Sequence, residues 1–279
     1  VDDYDGVTSL REALILAEQY AAEGKDNTIT FSVAGNAVEL NKILDPVDFT
    51  VLINGGDAGI TIDGSRITGG EGDYIFTTTG AGNSIRFNNI TIDAGRNNAD
   101  IESGNYLGGI RNEGAQVTMN GGGVKNGYSV NGGAILNATG LLLLNNAVFS
   151  GNQADFDGGA ISNNSSLNVS GGSFTNNMAR NAKGGAISNS GSLSVNNAMF
   201  HDNQAAQKGG AIYTDTQLTV NNSTFVNNRT PGDGGAIAGN GITVNGGTFA
   251  ENSAENGGAI YSDILTVINA GFSGNTATN

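Results

Sequence analysis

Short runs of alternating apolar and polar residues occur along the whole chain, and in the second half they return at a fixed interval. An apolar pair two residues apart appears as Leu142/Leu144, Leu167/Val169, Leu193/Val195, Leu218/Val220, Ile242/Val244 and Leu265/Val267. Val117/Met119 fits the same slot in an earlier copy. Seven residues after the first member of each pair stands a Phe, at 149, 174, 200, 225, 249 and 272, with Val124 in the earliest copy. Three residues after each Phe stands an Asn, at 152, 177, 203, 228, 252 and 275. A Gly-Gly-Ala-Ile run keeps step, beginning at Gly132, Gly158, Gly184, Gly209, Gly234 and Gly257, with the degenerate Gly108-Gly109-Ile110 before them. The spacings are 24, 26, 26, 25, 25 and 23 residues.

Alternation of period two reads as strand, and the Gly, Asn and Ser clusters between the runs read as turns. Three strands and their turns in about 25 residues cannot bury an apolar face alone. Stacked copies can, because like residues then form continuous columns. The pattern therefore predicts an all-β, right-handed parallel β-helix. Closing each rung needs sharp corners, where Gly and Asn accept positive φ. The Phe-x-x-Asn asparagines are expected to form a ladder of side-chain amides from rung to rung.

Residues 1–26 are expected to form an N-terminal cap. Ser9-Leu10-Arg11-Glu12 is a capping-box pattern, Leu10, Ala13, Leu14, Ala17 and Ala21 recur at helical spacing, and Gly24 stops the run. One helix over about 9–23 would cover the first open rung. Residues 27–107 alternate less regularly, at Ile29/Phe31, Val38/Leu40, Val51/Ile53, Ile60/Ile62, Ile75, Ile85/Phe87 and Ile90/Ile92, and predict irregular rungs with projecting insertions. Residues 108–279 form the regular repeats. Roughly ten rungs in one continuous domain give a rod on the order of 50 Å.

Glycine (45 residues) and asparagine (39) dominate the 279-residue chain, and only two prolines occur. The net charge is −14, with 17 acidic and 6 basic residues over 1–107 against 9 and 6 over 108–279. An acidic chain without a basic patch argues against nucleic acid and anionic lipid as partners. The absence of cysteine excludes disulfides and thiolate metal sites. No apolar stretch approaches the ~20 residues that insert in a bilayer. The chain opens at Val1 without a leader pattern, as expected of an excised or processed segment. Asn279 falls where the next Gly-Gly is due, so further repeats are expected beyond it. A monomer is expected, with end-to-end pairing open to an uncapped last rung.

The linked Gly-Gly-Ala-Ile and Phe-x-x-Asn motifs over 108–279 resemble the repeats of polymorphic outer membrane proteins, a family of bacterial autotransporter adhesins. Thr8-Ser9-Leu10-Arg11-Glu12-Ala13-Leu14 resembles a motif that opens many large secreted bacterial β-helix proteins. That motif often begins with Cys, where this chain has Thr8. The resemblance implies a secreted or surface-displayed segment that attaches to a host, cell-surface protein or glycan, and it implies no catalytic, cofactor or metal residues. A large non-autotransporter adhesin or an S-layer-like protein would share the pattern.

Parallel β-helices also carry polysaccharide lyases and glycoside hydrolases, so the residues were weighed for that chemistry. Asp63 and Asp93 sit in matching Ile-Thr-Ile-Asp contexts, and a carboxylate pair is what glycoside hydrolysis needs. The plainer reading makes each a strand-end cap, with Arg66 and Arg96 in local ion pairs three residues later. Asp2, Asp3 and Asp5 lack calcium-loop spacing and read as a solvated entry segment. Asp155 and Asp157 read as loop-tip charges. His201, the only histidine, follows a core Phe and reads as outward-facing. Tyr213 and Tyr261 follow the Ile of their repeats and should face outward two rungs apart, where they stack on sugars, anchor a partner or do neither. A threonine array for ice is not expected. The leading expectation is a rigid adhesin-type segment that is not an enzyme. Its rivals are a polysaccharide-degrading enzyme working in 27–107 and a passive spacer.

Overall fold

Every regular turn of the chain bends at three left-handed corners. One column runs Asn146, Gly171, Asn197, Asn222, Gly246 and Asn269, a second Asn176, Asp202, Asn227, Glu251 and Gly274, and a third Gly184, Gly209, Gly234 and Gly257, all at φ between 48° and 74°. Only Gly and Asn adopt this conformation readily, which is why they dominate the composition. Asp202, at φ 57°, tolerates it through its short side chain, and Glu251, at φ 56°, is the exception. Glu251→Asn is expected to stabilise the chain by about 1 kcal/mol, read as a rise in the urea midpoint.

The computed structural model describes residues 9–25, 27–70, 73–96 and 98–279. It is a parallel β-solenoid of three faces. The long face is a thirteen-stranded sheet that includes Val51–Asn54, Gly108–Asn120, Ile135–Asn145, Ile212–Asn221 and Ile260–Ile268. A second face has ten strands, one per turn, from Ala37–Glu39 to Gly271–Ser273, which sets the count at ten turns. The third face holds two-residue strands such as Gln153–Ala154 and Gln204–Ala205, continued by bridges from Gln204 to Arg229 and from Arg229 to Ser253.

Register places like on like. Ile161, Ile187, Ile212, Ile237 and Ile260 pair in sequence, as do Leu167, Leu193, Leu218, Ile242 and Leu265. The six phenylalanines stack with ring centroids 4.7–4.9 Å apart and planes within 10° of parallel. In-register stacking at the strand spacing forces this geometry. The predicted amide ladder is present. Each Asn Nδ2 from Asn152 to Asn252 donates to the next Oδ1 at 2.9–3.0 Å. Each also donates to the carbonyl of the preceding Phe-column residue. The ladder thus satisfies backbone groups that the corner would otherwise bury unpaired.

The Gly-Gly pair has a separate reason at each position. The first glycine takes the left-handed corner. The second lies where a Cβ would fall 2.0–2.1 Å from the carbonyl oxygen of its counterpart one turn on, as at Gly185 against Gly210. Gly185→Ala is expected to force adjacent turns apart and cost about 3 kcal/mol, measured by chemical unfolding.

The expected helix forms. The helix α1 spans Leu10–Ala22, Ser9 and Glu12 make the reciprocal capping box, and Gly24 at φ 68° follows the last turn. Leu10, Leu14 and Ala17 are buried in the same core as Ile29, Leu40 and Val51. One expectation is corrected. The chain holds a second short helix, α2 (Asn98–Glu102), in the insertion between two turns of the irregular region.

Candidate functional site

Asp63 and Asp93 are register partners on adjacent turns of the second face, as the matching contexts implied. Their oxygens are held by their own turns and, for Asp93, by the next turn as well. Asp63 Oδ1 accepts the Ser65 N–H at 2.8 Å, and Asp93 Oδ1 accepts the Gly95 N–H at 3.0 Å and Asn126 Nδ2 at 2.9 Å. Asp93 Oδ2 pairs with Lys125 Nζ at 3.0 Å. This is the strand-end capping role. The expected local pairs with Arg66 and Arg96 are not made. Arg66 pairs with Glu39 at 2.8 Å. Arg96 is buried, donates to the carbonyls of Ala94, Gly64 and Ile67, and lies 4.0 Å from Asp100. It is a strut that ties the insertion to the core. Burial lowers its pKa and Asp100 partly offsets that.

Asp155 is not a loop-tip charge. Both Tyr106 and Tyr128 donate their hydroxyls to it at 2.6 Å, and Arg180 lies at 3.7 Å. The two rings stack at 4.7 Å. Burial first, and then the bond to Asp155, push the Tyr128 hydroxyl well above its ordinary range. This cluster pins the insertion carrying α2 onto the third face. Asp157 accepts the Lys183 N–H at 3.2 Å and shapes the corner. His201 faces outward and pairs with Asp202. Asp2, Asp3, Asp5 and Thr8 lie outside the described residues. Among the described residues, no group of three or more His, Asp or Glu is placed to hold a metal. No described helix is long and apolar enough to cross a membrane.

Two features escaped the sequence reading. A second buried amide ladder runs Asn112, Asn137, Asn163, Asn189 and ends on Thr214, at 2.6–3.0 Å. Its signal was the Asn two residues after the Ile of early copies. The other is a cleft of about 630 Å³ lined by Asn54, Asp57, Asn88, Asn89, Asn120 and Asn145. The Asn145 and Asn120 amides bond to the preceding Asn at 2.8 Å, so its floor is itself a ladder. The threonines at 219, 243 and 266 also stand in one register column, in a single row rather than the double row an ice-binding face needs.

On the long face, Tyr213 and Tyr261 stand in one outward column, with Ala238 between them. The Lys183 ammonium lies 4.3 Å from the Tyr213 ring centroid and that of Lys208 lies 5.8 Å from the Tyr261 centroid. Burial and then the Asp215 carboxylate push the Tyr213 hydroxyl up to about 12. Lys208 holds the Asp233 carboxylate below its ordinary range.

Residues 146–164, 197–215, 222–240 and 246–263 match the Chlamydia polymorphic membrane protein repeat. Each window begins at a left-handed corner, passes the stacked Phe and the ladder Asn, and ends just past Gly-Gly-Ala-Ile or its equivalent. The chain carries polymorphic membrane protein repeats. Nothing among curated proteins or solved structures matches it. Proteins that carry this repeat are bacterial surface proteins, which supports a surface or secreted location for this chain.

Proposed function

We propose that this chain is a rigid attachment segment of a bacterial surface protein, binding host, cell-surface protein or glycan through its outward side chains. The observation that carries the reading is the division of labour within each turn. Inward positions repeat without change, as buried Ile, Leu or Val, Phe and Asn columns. Outward positions in the same strands vary from turn to turn, as Ser188, Tyr213, Ala238 and Tyr261 do. A fixed interior under a variable surface suits a binding scaffold. Polymorphic membrane protein repeats support the same reading.

The polysaccharide-degrading alternative needs a groove lined by Asp63, Asp93, Arg66 and Arg96, and Arg66 is paired with Glu39 while Arg96 is buried. Adjacent turns bring Asp63 and Asp93 together, but backbone N–H groups of their own turns bind both, Asn126 and Lys125 of the next turn hold Asp93, and neither lines the cleft. The first test coats beads with the chain and measures their adhesion to epithelial cells, alongside release of new chain ends from a polysaccharide panel. Adhesion well above beads coated with an unrelated solenoid, without new chain ends, is the expected result. New chain ends abolished by Asp63→Asn or Asp93→Asn would replace attachment with catalysis.

A further inference from the structure

The tyrosine column on the long face is built twice. Tyr213-Thr214 and Tyr261-Ser262 occupy the same register two turns apart, and an Asp, Asp215 or Asp263, follows each pair where the register shifts. Alternation along a strand puts Tyr and Asp of each triplet on the outer surface and the residue between them inward. The intervening turn offers Ala238-Gly239-Asn240, without a bulky side chain beside the rings. Ala238 is only 1% exposed. Lys183, beside Tyr213, makes no ion pair among the described residues, whereas Lys208 is tied to Asp233 at 2.7 Å.

Two turns separate the rings by roughly 10 Å at the ordinary strand spacing. That is about the length of one disaccharide in an extended β-linked polymer, whose alternate sugars turn the same face to one side. We propose that Tyr213 and Tyr261, with Asp215, Asp263 and Lys183, form a platform for a neutral, extended polysaccharide lying along the solenoid axis. Each ring takes the C–H face of one sugar. Sugar hydroxyls both donate and accept, so they use the carboxylates of Asp215 and Asp263 and the ammonium of Lys183. Charge selects a neutral polymer. Asp157, Asp215, Asp233 and Asp263 outnumber Lys183 and Lys208 around the platform, and the whole chain carries −14. Such a surface repels a uronate or sulfate polymer.

This inference rests on the attachment reading and names its ligand class. The test is electrophoresis of the whole chain through native gels containing hydroxyethyl cellulose, galactomannan or polygalacturonate. Retardation is expected with one of the two neutral polymers and not with polygalacturonate. Tyr213→Ala and Tyr261→Ala should each weaken it about tenfold, and Tyr213→Phe and Tyr261→Phe should leave it nearly intact, because stacking survives. Thermal unfolding of the alanine variants separates lost binding from lost fold. No retardation, retardation by polygalacturonate alone, or equal retardation of the alanine variants would overturn the platform. Bead adhesion that persists through those outcomes would leave the attachment reading standing, and beads that fail to adhere would remove that reading by itself.

Discussion

Asn203→Ala is expected to cost about 3–5 kcal/mol, because it strips buried partners from both neighbouring turns. Asn203 Oδ1 accepts the Asn177 N–H at 3.1 Å and the Asn177 amide at 3.0 Å. Its Nδ2 donates to the Phe174 carbonyl at 2.9 Å and to Asn228 Oδ1 at 2.9 Å. Alanine leaves the Asn177 N–H and the Phe174 carbonyl buried without these bonds, and an unmet buried group costs about 1–3 kcal/mol. Asn168 faces solvent on the next face, so Asn168→Ala should change stability by less than about 0.5 kcal/mol. Urea unfolding followed by circular dichroism compares the two. Equal effects would mean that the ladder is decoration rather than a fastening.

The second large effect is Phe200→Ala. Its ring is fully buried and stacks on Phe174 and Phe225, each at 4.7 Å. Truncation opens a cavity and breaks the stack in the middle, at a cost of about 3–5 kcal/mol. A solenoid is held by nearest-neighbour contacts, so the weakened interface should divide the array into two unfolding units. Val148→Ala, at a side chain 46% exposed on the same face, should cost far less. A single transition with an unmoved midpoint for Phe200→Ala would contradict stacking as the source of cohesion.

Much of this architecture was legible because the repeat samples one geometry many times. The Phe-x-x-Asn ladder could be read from period alone, since residues 25 apart become neighbours. The capping box at Ser9 and Glu12 was equally plain, because all of its partners are local. What escaped was non-local and non-periodic. Local spacing pairs Arg66 with Asp63, three residues away, yet its carboxylate is Glu39 on the preceding turn. Lys125 with Asp93 and Lys208 with Asp233 follow the same rule. In a solenoid the residue one turn away is nearer than the chain suggests, so local spacing misleads. Asp155 was misread for a related reason. Its tyrosine partners come from an insertion whose docking no repeat pattern encodes. The Asn112 ladder was missed because Asn occupies an inward slot that alternation assigns to apolar residues.

The platform on the long face was half legible. The outward placement of Tyr213 and Tyr261 followed from alternation. Their duplication acquires meaning only when register puts both tyrosines in one column.

The central claim is that cohesion and shape come from in-register stacking of equivalent turns. Its most direct test removes one whole turn, residues 184–208, which joins Lys183 to Gly209 and aligns Asn177 with Asn228 and Phe174 with Phe225. Small-angle scattering and circular dichroism of this variant should report an intact β-solenoid, shorter by about 4.8 Å. Loss of the folded state, or an unchanged length, would contradict the stacking account.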